Sequence, residues 1–147
     1  MIKRQTIGAV DKIDFPEFGL FDIDCRIDTG ATSSAIHCQN ISIREVNGEE
    51  VLTFELLDRK HPLYNKQAFC TKEFTQKKVR SSFGIEEIRY AITTEVVLFG
   101  KTYTTQFTLA DRVKMRFPVL IGRRLLRQGF LVDVRKKNVS YNKKQRS

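Results

Sequence analysis

Apolar and polar residues alternate along several short stretches of this chain, the period of half-buried strands. Residues 23–28 alternate in this way, Ile23 and Cys25 and Ile27 against Asp24, Arg26 and Asp28. Residues 50–57 form a second β-type run, and Asn47-Gly48 just before it is a hairpin-turn signal. Residues 86–99 are rich in Ile, Thr, Val and Tyr, Gly100-Lys101 turns the chain, and residues 102–109 are again β-rich. Residues 130–134 form a last apolar strand. Between them, residues 117–121 are almost continuously apolar and end at Gly122, which predicts a strand buried on both faces. Only residues 123–128 suggest a helix, of about two turns. Residues 61–76, with Pro62 and a mixed polar run, read as a loop or ragged strand. Many short strands separated by turns predict an all-β fold, a small closed barrel with one short helix after the second glycine motif.

The 147 residues fit one domain, and 41% hydrophobic content allows an ordinary core. No run approaches the roughly 20 apolar residues of a membrane span. The N-terminus lacks the pattern of a secretory signal, so the expected location is the cytoplasm. Three cysteines, Cys25, Cys38 and Cys70, do not make a disulfide framework. His37 and Cys38 are adjacent and would face opposite sides of a strand, so they do not share a metal easily. No metal ligand set is assigned, and no cofactor is expected.

Charge is uneven. The formal net charge is +9, yet residues 135–147 hold six basic residues and no acid. Setting those six aside, 20 of the 26 basic residues remain against 17 acidic ones. The expected organisation is a domain over residues 1–134 and a basic tail over 135–147. The tail reads as a solvated, frayed terminus, with contact to ribosomes, RNA or acidic peptides as its functional alternative.

Two segments carry candidate chemistry. In the first, a strand runs into Asp28, Thr29, Gly30 and Ala31, followed by small and hydroxyl residues. Gly30 suits a tight turn, and Thr29 offers a hydroxyl to a partner loop. In the second, Leu120, Ile121, Gly122 and Arg123 join a buried strand to a helical turn, and Gly122 allows another backbone to pass closely. Asp-Thr-Gly alone is equally an ordinary turn in which Asp caps the backbone. The two segments in this order are far more specific.

Together they resemble the retropepsin pattern. The match narrows with residues 28–37, 79–84, 89–90, 107–112 and 115–123, which are similar to a bacterial family labelled ATP-dependent zinc protease, associated with ribosomal protein modification. The resemblance runs from about Thr6 to Val134. It implies an aspartic endopeptidase with Asp28 as the catalytic carboxylate. It also implies a homodimer in which the two Asp28 side chains meet, and a glutamate-adding ATP-grasp ligase as a partner. The sequence shows neither a zinc-protease helix nor a phosphate-binding glycine loop, so zinc and ATP rest on the label alone. Arg124 departs from the Asp or Asn common after the Gly-Arg pair. Ser82, Phe83 and Gly84 are the best candidates for a flap tip, with a plain hairpin turn as the alternative.

Aspartic proteolysis needs two carboxylates on one water. Asp111 and Asp133, the internal alternatives to a second Asp28, lack a following Thr-Gly. Arg26, Arg44, Arg80 and Arg89 could make the cleft positive and favour acidic peptide or protein substrates. Three other readings remain: a retropepsin-fold binding module or adaptor linked to ribosomal-protein modification, a zinc-dependent peptidase, and a basic barrel that binds RNA.

Overall fold

A computed structural model describes residues 3–80, 83–112 and 115–146. Its strands are β1 (Gln5–Ile7), β2 (Val10–Phe15), β3 (Leu20–Ile27), β4 (Ser34–Val46), β5 (Glu49–Leu56), β6 (Ala68–Thr71), β7 (Thr75–Arg80), β8 (Glu86–Leu98), β9 (Lys101–Ala110), β10 (Val119–Ile121) and β11 (Phe130–Val132). Two helices, α1 (Arg123–Leu126) and α2 (Val139–Gln145), and a 3-10 turn (Pro16–Phe18) complete the described elements. The predicted all-β, retropepsin-like class is what the chain adopts.

The main sheet runs β10-β3-β2-β8-β9-β4, and β10 also pairs with β4, so six strands close into a ring. β5 and β6 extend the sheet beyond β4, and β7 pairs with β8. Asn47 and Gly48 turn β4 into β5 at φ of 52° and 81°, the backbone that this dipeptide favours. Phe15, Phe54 and Phe107 are among the largest fully buried side chains. Phe15 and Phe107 meet edge to face at 5.2 Å, a geometry that contributes about 0.5–1.5 kcal/mol beyond area burial.

The feature that builds the site is the placement of β10. It lies parallel to β3, Val119 opposite Cys25 and Ile121 opposite Ile27, and antiparallel to β4, Val119 opposite Ile36. β3 and β4 are consecutive in sequence, yet β10 separates them. The loop that joins them, residues 28–33, must therefore arch over the end of β10. Burial on both faces of β10 is only partly met, because Leu120 is half-buried while Val119 and Ile121 are fully buried.

The expectation of a frayed tail is corrected. Residues 139–145 form α2, which is packed on β2. Asp11, 1% exposed, accepts the amide of Ser140 at 2.9 Å and that of Tyr141 at 3.1 Å. Ser140 in turn accepts the Phe99 amide at 2.8 Å. Lys144 bridges Asp14 and Asp22 at 3.2 and 2.8 Å, and Lys12 stands over the Tyr141 ring. Part of the basic charge is thus used in holding the tail down. No described helix is long and apolar enough to cross a membrane.

Candidate active-site cleft

Asp28 follows β3 directly, and its amide continues the ladder by donating to Ile121 O at 2.8 Å. The carboxylate accepts the Gly30 amide at 2.9 Å. A Cβ on Gly30 would stand 3.2 Å from that same carboxylate oxygen, so any larger residue there would press on Asp28. The loop is tied from below by α1. The Arg123 amide donates to Ala31 O at 2.8 Å and the Arg124 amide to Thr32 O at 3.0 Å. The Arg123 guanidinium reaches Thr29 O at 3.0 Å and Thr32 Oγ1 at 2.8 Å. Buried Leu125 and Leu126 anchor this short helix. The tight turn and the strand-glycine segment, far apart in sequence, are one structural unit.

Asp28, Ala31 and Leu120 line a cleft of about 670 Å³. Ile121 is in the core behind it, and Thr29 and Gly30 are exposed at the tip of the loop. Six cations also line the cleft: Lys77, Lys78, Arg80, Arg89, Arg112 and Arg124. Asp28 is the single acidic residue among the lining residues. Of the four arginines expected there, Arg80 and Arg89 line it. Arg44 is instead in the β4–β5 hairpin, opposite Val51. Arg26 is outside the lining but close enough to act on Arg112. Burial, then Arg89 and then Arg26, push the Arg112 guanidinium below its ordinary value, and Asp28 opposes them. Burial and Arg124 likewise lower Lys77. The sequence reading did not place Lys77, Lys78, Arg112 or Arg124 in the cleft. The run Lys77-Lys78-Val79-Arg80 was the visible signal for part of this set, but its facing depends on how β7 pairs with β8.

Phe83 and Gly84 lie in the connection between β7 and β8, and Phe83 is 87% exposed. Ser82 lies outside the described residues. Neither internal alternative to a second Asp28 lines the cleft. Asp133 is paired with Arg135 at 3.1 Å, and Asp111 lies 3.8 Å from His37 Nδ1.

Zinc does not fit the donors present. Among the described residues, no three His, Cys, Asp or Glu side chains converge as a metal site requires. His37 has both ring nitrogens engaged by protein groups. Burial pushes the Cys38 thiol up to about 12, away from the thiolate that binds metal.

The chain matches the RimB-like family, described as retropepsin-like aspartic endopeptidase RimB, over residues 7–143. It is 32% identical over 136 residues to a probable alpha-L-glutamate ligase of Desulfotalea psychrophila, covering 90% of this chain and 28% of that protein. A probable alpha-L-glutamate ligase of Shewanella pealeana is 33% identical over 134 residues, with 88% and 28% covered. The chain thus spans under a third of the length of these relatives. Among solved structures, the Legionella pneumophila protein Lpg0085, of unknown function, superposes with a TM-score of 0.72 at 24% identity, covering 92% of this chain and 97% of that one. That likeness concerns the fold. With the match spanning nearly the whole chain and the Asp28 loop built against β10, the protein belongs to the RimB-like family of retropepsin-like aspartic endopeptidases.

Proposed function

We propose that the chain is an aspartic endopeptidase that works as a two-fold homodimer and cleaves acidic peptides. The observation that carries this reading is the setting of Asp28, a lone carboxylate at the end of β3 in a cleft lined by six cations. One carboxylate is half of the catalytic pair. A second copy related by a two-fold axis would supply the other with no further residue type, and the exposed Thr29 would offer its hydroxyl to the partner loop. Two carboxylates about 3 Å apart share one proton. The ionised one takes a proton from water, and the protonated one polarises the scissile carbonyl. No covalent intermediate forms, and the pair titrates as a unit.

The cations address the substrate. An acidic peptide entering between β7 and the Asp28 loop meets positive charge along both walls. The ligases that contain a related segment add glutamate by name, which makes a glutamate-rich chain the natural first substrate to test. A second reading is favoured by that same arrangement: a retropepsin-fold module that brings a ligase to its target without cutting.

The test is cleavage of an acidic peptide library and of oligoglutamate from pH 3 to 8, for wild type and Asp28→Asn, each with and without a chelator. Cleavage that survives the chelator and disappears in Asp28→Asn is expected, with sedimentation showing a dimer. Cleavage kept by Asp28→Asn, or lost to the chelator, would overturn the aspartic mechanism. A folded dimer that binds acidic peptides and never cuts them would leave the module reading.

A further inference from the structure

Arg112 reaches the cleft from a loop after β9, and a buried histidine holds that loop in place. His37 on β4 is 4% exposed, and all of its hydrogen-bonding groups are engaged. Its amide donates to Pro118 O at 2.7 Å, and its carbonyl accepts the Leu57 amide at 2.9 Å. The Arg112 amide donates to His37 Nδ1 at 2.7 Å. His37 Nε2 lies 2.6 Å from Asp58 Oδ2. A backbone amide can only donate, so Nδ1 is the acceptor and the ring proton sits on Nε2, facing Asp58. The other Asp58 oxygen accepts the Lys60 amide at 2.8 Å. Asp58 therefore accepts from both the Lys60 amide and the His37 ring, and His37 in turn accepts the Arg112 amide, so each group helps to fix its neighbour.

Arg112 is also held through its side chain, whose Nε donates to Phe117 O at 3.3 Å. Arg112 forms a partition. On one side it lines the Asp28 cleft. On the other it lines a groove of about 160 Å³ with His37, Asp58 and His61. Like Lys77 and Arg89 it is half-buried, and its guanidinium lies within electrostatic reach of Asp28. A cation held in advance loses little freedom on meeting an anion, and a planar guanidinium suits a carboxylate.

We propose that Arg112 binds a substrate carboxylate beside Asp28, and that His37 and Asp58 are positioning residues that set Arg112 for this role. The proposal rests on the acidic-peptide reading for its recognition half and on geometry alone for its positioning half.

The experiment uses protein carrying Asp28→Asn, so that peptide stays intact. Fluorescent hexaglutamate binding is read by anisotropy at low salt, and hydrogen exchange is read at the Arg112 amide. His37→Leu removes the acceptor, whereas His37→Asn keeps an acceptor oxygen near the position of Nδ1. Arg112→Gln and His37→Leu are each expected to weaken binding about tenfold, the loss of one charged hydrogen bond, with the double variant little worse than either. His37→Asn is expected to bind within about twofold of the parent and to restore the protection of the Arg112 amide that His37→Leu loses. Arg112 amide protection that ignores His37 overturns the positioning half, whatever the peptide does. Unchanged binding by Arg112→Gln overturns the recognition half. If His37→Leu does not fold, weak binding by folded His37→Asn overturns the assignment in its place. A parent that binds no hexaglutamate, with amide protection still dependent on His37, overturns the acidic-peptide reading and the recognition half with it, and sustains the positioning half.

Discussion

Gly122 lies so close to Ser33 that a Cβ on it would stand 2.6 Å from the Ser33 carbonyl oxygen. Its amide meanwhile donates to Ser34 Oγ at 3.0 Å, inside the core. The end of β10 and the underside of the Asp28 loop thus occupy adjoining space with no room for a methyl group. Gly122→Ala must push the loop upward or β10 backward, and such overpacking costs about 1–3 kcal/mol. Urea unfolding is expected to show that loss, together with weaker peptide cleavage, because Asp28 rides on the loop that moves. An unchanged unfolding midpoint would show that the loop yields freely.

Charge along the cleft predicts how substrate affinity responds to reversal. Lys78 and Arg80 line the β7 wall. An exposed ion pair contributes about 0.2–1 kcal/mol. Reversal removes that attraction and adds a like repulsion, so Lys78→Glu or Arg80→Glu should raise KM for an acidic peptide by about two- to thirtyfold. kcat should change little, and the difference from wild type should shrink as salt is added. A neutral peptide of equal length serves as the control.

Asp11 is the anchor of the C-terminal helix. Asp11→Ala would leave the buried Ser140 amide and the part-buried Tyr141 amide without their acceptor. An unsatisfied buried group costs about 1–3 kcal/mol, so a loss of about that size is expected from the buried Ser140 amide. Hydrogen exchange should then speed up across residues 139–145 before the rest of the chain. Equal exchange in mutant and wild type would mean that the bridge from Lys144 to Asp14 and Asp22 holds the helix by itself.

The Asp58 carboxyl predicts an acid limb in stability. Burial alone would raise it, but the Lys60 amide and the His37 ring outweigh burial and hold it below the ordinary carboxylate range. A depressed carboxylate stabilises the folded state fully above its unfolded value of about 3.9. That stabilisation is lost as pH falls through the lower folded value. Asp58→Asn should therefore be less stable at neutral pH, by about 1.5–3 kcal/mol for a hydrogen bond to a charged group. Its stability should also fall less steeply than that of wild type below about pH 4. Parallel pH curves for the two proteins would place the acid limb on other carboxylates.

Local patterning was enough to mark β3, β5, β8, β9, β10, β11 and the two site segments, but not β1, β2, β4 or β7. Period-two alternation marks which residues enter the core, and Asn47-Gly48 marks a turn, because both act over a few neighbouring residues. The Asp28 loop and the segment from Leu120 to Arg123 were legible for the same reason, each being a local pattern of glycine beside apolar residues. Long-range packing alone sets β10 between β3 and β4, brings Lys77, Lys78, Arg112 and Arg124 into a cleft with Asp28, and lets His37 join Asp58 to the Arg112 amide. It also decided that the basic tail docks as α2, since its anchor Asp11 lies 129 residues away from Ser140. A charge or an imidazole carries no local sign of its partner. Pairing of distant strands brings such groups together, and that pairing is set by the packing of the whole core.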